Sequence, residues 1–107
     1  YSNLGNILKN LGQLEEAEIY THKAIKLNPN FAEAYSSLGN ILSDLGNLQK
    51  AELSYRKAIE IKPNFANAHV NLGKILLRKG NHREGIKHLK EGAGFIKFDL
   101  INGLSIN

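Results

Sequence analysis

The amino-acid sequence predicts an all-α solenoid of three helix-turn-helix repeats, and three observations carry that prediction. Residues 1–34 and 35–68 agree at 20 positions, and self-similarity at a fixed period of this length marks stacked helical units. Within each copy the apolar residues recur at helical rather than strand spacing. Glycine and proline return at fixed places where helices must end.

Tyr1, Leu4 and Leu8 stand at i, i+3 and i+7 and return as Tyr35, Leu38 and Leu42, which places one apolar stripe on a first helix, A. Ala17, Ala24 and Ile25 do the same for a second helix, B. Gly5, Gly39 and Gly73 fall inside helix A. A helical glycine costs roughly 1 kcal/mol relative to alanine, so close approach of A and B must require the missing side chain. Gly12, Gly46 and Gly80 are placed to end helix A in a left-handed conformation. Pro29 and Pro63 end helix B. Asn30 and Asn64 are expected to cap the next helix A, Asn30 together with Glu33 as a capping box. The predicted helices are 1–11, 14–27, 31–45, 48–61, 65–79 and 82–92.

The third copy keeps Leu72, Gly73, Leu76 and Gly80 but has Gly85 for Ala51, Gly92 for Ala58, and Lys97 where a proline is due. Three repeats, 1–31, 32–65 and 66–94, therefore precede a tail, 95–107. The tail is apolar and partly alternating, with a turn signal at Asn102-Gly103. It is expected to be a local cap over Ile86 and Leu89, a surface for self-association, or the start of a downstream segment.

Hydrophobic residues make up 42% of the chain and charged ones 22%, the balance of a soluble globular fold. Cysteine is absent, which excludes disulfides and thiolate metal sites; nothing points to an oxidising compartment, and a cytoplasmic location is the expectation. No run is apolar enough for a membrane span, and the first residues lack a signal-peptide pattern. Methionine is absent even at position 1, so the chain is expected to be a piece of a longer protein. The net charge of +4 resides in the last third, where residues 66–107 carry seven Lys/Arg against three Asp/Glu. Lys79, Arg83, Lys87 and Lys90 read as a solvated outer helix face, because no base-stacking aromatics are interleaved with them. Neither nucleic acid nor a membrane is an expected partner.

His22, His69, His82 and His88 are the only imidazoles, and no two stand at the i, i+4 spacing that puts a ligand pair on one helical face. No metal or other cofactor is expected on that basis. His69 takes the place of Tyr1 and Tyr35 and is expected in the core, with the other three on exposed helix B surface. No phosphate-cradling glycine loop and no nucleophile beside a base are found, so an enzyme is not expected.

The pattern Tyr-x2-Leu-Gly-x2-Leu, then Ala, Ala and Pro at a period of 34, resembles the tetratricopeptide repeat family over residues 1 to about 92. The resemblance implies a right-handed solenoid with the A helices on its concave face. It also implies a protein-protein interaction module that holds a protein or peptide segment in that groove. Helix A residues off the apolar stripe would line the groove: Asn3, Asn6, Ser37, Asn40, Asn71, Lys74 and Arg78. Asparagine and serine are poor helix-interior residues, but an amide can pair with the backbone of an extended peptide whatever its side chains. Asn3 and Asn71, with Ser37 between, are similar to the asparagine ladder in the repeat arms of O-linked N-acetylglucosamine transferases. A substrate-presenting arm of a larger transferase is therefore one alternative. A structural spacer, or a homo-oligomer formed through the tail or end helices, is another. Chaperone-tail-binding members of the family use a carboxylate clamp of two lysines, two asparagines and an arginine. Those positions hold Ser2, Asn6, Ser37, Asn67 and Asn71 here, and only Asn6 agrees, so an acidic chaperone terminus is not an expected ligand. Lys74 and Arg78, one turn apart, offer a basic patch to an acidic side chain.

Overall fold

The computed structural model describes the backbone of residues 2–106 and the side chains of residues 11–96. Among the described residues five helices follow one another: α1 (Ser2–Leu27), α2 (Ala32–Asp44), α3 (Leu48–Ile61), α4 (Ala66–Arg78) and α5 (His82–Ile106). Helices α2 and α3 form one hairpin and α4 and α5 another, with α1 packed on α2 and α3 on α4. The chain is an all-helical repeat solenoid. Its core joins Leu38 and Leu42 of α2, Ala51 and Tyr55 of α3, and Leu72, Ile75 and Leu76 of α4, with Ile25, Leu48 and Ile59 packed against it. Leu38, Leu42, Ala51, Leu72 and Leu76 belong to the apolar stripes read from the sequence, and Tyr55 and Ile75 add to them.

The turns after α2 and α4 are built alike. Gly46 and Gly80 have φ of +86° and +88°. The Gly46 amide donates to Ser43 O at 3.0 Å and the Asn47 amide to Leu42 O at 2.8 Å. Gly80 donates to Leu77 O at 3.0 Å and Asn81 to Leu76 O at 2.8 Å. This pair of bonds closes a helix around a left-handed glycine and satisfies its last carbonyls. Asn47 then caps α3, its Oδ1 accepting from the Lys50 amide at 3.2 Å.

The turn expected at Gly12 is not formed: α1 runs without a break from Ser2 to Leu27. The residue after the glycine supplies the reason. Asn47 and Asn81 follow Gly46 and Gly80, whereas Gln13 follows Gly12. Asparagine is a short N-cap acceptor and a poor helix former, while glutamine is a good helix former and a poor cap. Leaving new helix ends uncapped costs more than carrying one glycine, so the helix continues.

Two further expectations are corrected. Asn30 and Asn64 do not cap: Phe31 and Phe65 hold the N-cap positions of α2 and α4, and neither makes a side-chain cap bond. The Asn30 amide instead donates to Asn28 Oδ1 at 3.3 Å, so the asparagines after and before Pro29 stabilise the turn rather than the helix. At the other end, α5 passes through Gly94 and Asn102-Gly103 as helix to Ile106. The Asn-Gly signal does not outweigh continuous helical hydrogen bonding. Ile86 is 46% exposed on α5, so the local cap expected over it does not cover it.

The internal glycines meet the expectation of close approach. A Cβ built on Gly39 lies 2.6 Å from the Tyr55 ring, and one on Gly73 lies 2.8 Å from Gly85 O and from Leu89 Cγ. Gly92 is equally confined, against Val70 Cγ2 at 2.6 Å and Ala66 O at 3.0 Å. The glycines that break the repeat pattern in the third copy are thus contact points between α4 and α5. The surroundings of Gly5 lie outside the described residues.

Candidate protein-binding groove

Between α2 and α4 the structure opens a cleft of about 470 Å³ lined by Asn40, Ser43, Asp44, Tyr55, Asn71, Lys74, Ile75 and Arg78. Successive A helices contribute its two walls, and the buried ring of Tyr55 from α3 its floor. Asn40 Oδ1 accepts from both the Tyr55 hydroxyl and Asn71 Nδ2, the latter at 3.2 Å. Burial, with the Asp44 carboxylate nearby, pushes the Tyr55 hydroxyl up to about 12, so it remains a donor across the neutral range. With its oxygen doubly engaged, the Asn40 carboxamide is held in one orientation, and its NH2 group bonds to no other described residue. Arg78 Nη1 reaches Ser43 Oγ at 3.3 Å. Asp44, Lys74 and Arg78 form no ion pair with any described residue. The cleft therefore presents amide, hydroxyl and charged groups of both signs over a short apolar floor.

Of the residues expected to line the groove, Asn40, Asn71, Lys74 and Arg78 come together here. Ser37 does not join them. It lines a separate cleft of about 260 Å³ between α1 and α2 with Tyr20, Thr21, Ala24, Phe31, Glu33 and Ala34. The side chains of Asn3 and Asn6 lie outside the described residues. Ser43, Asp44 and Tyr55 complete the site. Ser43 and Asp44 share Asn40's helical face one turn on, but Tyr55 enters from the B helix, which the off-stripe rule for A helices passes over.

Elsewhere in the stack, ion pairs link α3 to α5 and to Lys79 at the end of α4. Lys79 Nζ meets Glu52 Oε1 at 2.6 Å and Gln49 Oε1 at 2.9 Å, Glu52 Oε2 accepts from Arg56 Nε at 2.9 Å, and Arg56 Nη2 reaches Glu84 Oε2 at 2.9 Å. The bond from Lys79 holds the Glu52 carboxyl below the usual carboxylate range against the opposing effect of burial, and Arg56 does the same for Glu84. Lys79 is thus an interhelical partner rather than part of a free solvated face.

The network runs on into a histidine cluster. His69 is 3% exposed, in the core as expected, but His88 is also mostly enclosed, against the expectation of an exposed helix B surface. His88 Nδ1 lies 3.1 Å from His69 Nδ1, and Glu91 Oε2 lies 3.4 Å from His69 Nδ1 and 3.9 Å from His88 Nδ1. His69 Nε2 stands 2.8 Å from Pro63 O, and His88 Nε2 stands 3.5 Å from Glu84 Oε2. Burial holds the His88 imidazole below its ordinary value. A search for pairs within one helix could not find this arrangement, because its two imidazoles come from α4 and α5.

Among the described residues no helix is long and apolar enough to cross a membrane. No curated protein matches the sequence. Solved structures do: a crystal structure of MamA superposes with a TM-score of 0.78 at 30% identity, covering 91% of this chain and 57% of that one. A second MamA crystal structure gives 0.72 at 31%, covering 88% and 51%. The chain thus spans little more than half the length of the MamA chains it matches. Models described as "TPR repeat" and "Tetratricopeptide repeat" match residues 39–80 in the first case and residues 1–31 and 23–52 in the second. With the stacked hairpins, their left-handed glycine turns and these matches across most of its length, the chain belongs to the tetratricopeptide repeat family.

Proposed function

We propose that this protein-interaction module holds an extended peptide segment in the cleft between α2 and α4. The observation that carries the reading is the fixed amide pair at its centre: Asn40, oriented by the Tyr55 hydroxyl, bonded to Asn71 from the next repeat. Carboxamides held in this way offer both a donor and an acceptor to a peptide backbone, much as the asparagine ladder of the transferase arms does. Lys74 and Arg78 on one wall and Asp44 on the other would then choose among sequences by charge. The segment best suited is short, extended and acidic at the residue that meets Lys74 and Arg78. A peptide carrying a single acidic residue matches this wall without requiring the terminal carboxylate clamp that the sequence lacks.

Panning a random peptide library against the chain, followed by calorimetry on the enriched peptides, tests this. Asn71→Ala and Arg78→Ala should each weaken binding about tenfold, in line with the 1–3 kcal/mol cost of leaving polar partners unpaired, with helicity unchanged by circular dichroism. Enriched peptides indifferent to both substitutions would defeat the assignment.

A further inference from the structure

We propose that His69, His88 and Glu91 form a binding site for one divalent transition-metal ion of the zinc class, clamping α4 to α5. Three ligand atoms, His69 Nδ1, His88 Nδ1 and Glu91 Oε2, face one another at 3.1, 3.4 and 3.9 Å. Tetrahedral zinc with bonds of about 2.0–2.1 Å sets its ligands about 3.3 Å apart. Closing the longest separation, 3.9 Å from His88 Nδ1 to Glu91 Oε2, to that value takes a shift of about 0.6 Å, within the freedom of a glutamate side chain that is 37% exposed.

The protonation pattern leads to the same conclusion. The Pro63 carbonyl can only accept, so the proton of a neutral His69 sits on Nε2 and Nδ1 presents a lone pair. That lone pair faces a second imidazole nitrogen and a carboxylate oxygen. At most one proton, on His88 Nδ1, can be shared among these three acceptors while both rings are neutral, whereas a cation satisfies all of them together. Ligation through Nδ1 would leave the His88 proton on Nε2, opposite Glu84 Oε2 at 3.5 Å, which Arg56 anchors at 2.9 Å. Each ligating imidazole would thus have its other nitrogen directed by a carbonyl or carboxylate, the outer arrangement that metal-binding histidines require. The nitrogen-rich donor set favours zinc and its neighbours over magnesium or calcium, which take oxygen. A cavity of about 530 Å³ lined by Asn64, Glu91, Gly94 and Phe95 adjoins the carboxylate and gives an ion and a fourth ligand, such as water, a way in.

The preceding repeat provides an internal comparison. At a spacing of 34, His69, His88 and Glu91 correspond to Tyr35, Ser54 and Lys57. Ser54 bonds back to Lys50 O on its own helix at 3.1 Å, and no metal-ligating atom is offered there. All three ligands are therefore particular to the third repeat.

Calorimetric titration of the chain with Zn²⁺ should show one ion per chain, with a higher melting temperature in its presence and the visible absorption of tetrahedral Co²⁺ when cobalt is substituted. Mg²⁺ should do neither. His88→Gln and Glu91→Gln should each remove at least about 90% of the affinity, and the outer-shell variant Glu84→Gln should lower it about tenfold, while the double variant His22→Ala/His82→Ala should leave it intact. Circular dichroism in the absence of metal checks that every variant folds. If the intact chain binds no Zn²⁺, or if binding survives His88→Gln, the cluster is a hydrogen-bonded histidine pair only and the proposal fails.

Discussion

Gly12, Gly46 and Gly80 occupy equivalent places in three repeats, and alanine should have opposite effects among them. Gly46 and Gly80 sit at φ of +86° and +88°, where a Cβ costs about 1–2 kcal/mol. Gly12 lies within the unbroken α1 with nothing within 4 Å of a built Cβ. Alanine there removes the helical penalty of glycine and should stabilise by about 1 kcal/mol. With a urea slope of roughly 2 kcal/mol per molar, the midpoint should rise by about 0.5 M for Gly12→Ala and fall by about 0.5–1 M for Gly46→Ala and for Gly80→Ala. Ellipticity followed at a helical wavelength is the right signal, because stacked repeats can lose an end before the centre. Had the first repeat folded as a hairpin like the others, Gly12 would need the left-handed conformation too, and all three variants would shift downward together. A lowered midpoint for Gly12→Ala would therefore refute the continuous helix and the Gln13 argument behind it.

Two other expectations concern stability. Gly73→Ala, which sets a Cβ 2.8 Å from the Gly85 carbonyl oxygen, should destabilise by about 1–3 kcal/mol despite the better helix propensity, since backbone cannot move aside as a side chain can; chemical denaturation measures it. Glu52 and Glu84 have folded-state values below the usual 4.5, so their contribution is complete above that pH and is lost as pH falls through the folded value. The melting temperature should hold steady down to about pH 5 and drop below it, and Glu52→Gln should show a smaller acid-induced drop than the parent chain.

Local signals in the sequence were enough for the period, the apolar stripes and the turns at Gly46 and Gly80, because each depends on a residue and its near neighbours. The continuity of α1 was also written locally, in Gln13 against Asn47 and Asn81, but it takes a comparison of capping strength rather than of glycine positions. The caps at Phe31 and Phe65 were not legible, since asparagines beside a proline serve turn and cap equally well. In the groove, Asn40, Asn71, Lys74 and Arg78 followed from helix register. The separation of Ser37 did not, because which cleft it faces depends on where α1 lies, and α1 does not turn back as the other A helices do. The histidine pair depends on residues 19 positions apart meeting across a helix interface, which no within-helix spacing encodes.

The two glycines by which the third repeat departs from the others, Gly85 and Gly92, have one structural explanation. Gly85 and Gly92 replace alanines that fit at the equivalent places in α3, and each exchange gives up about 1 kcal/mol of helix propensity. What they gain is proximity: Gly85 and Gly73 face each other with a built Cβ of one 3.0 Å and of the other 2.8 Å from the opposing carbonyl oxygen, and Gly92 seats Val70 and the Ala66 carbonyl. His88 lies between them in sequence, three residues after one and four before the other, so it shares their face of α5. Alanine at either place would push that face away from α4, and His88 would no longer reach His69 within 3.1 Å. The loss of the repeat pattern and the gain of the imidazole cluster are in this sense one change in helix separation.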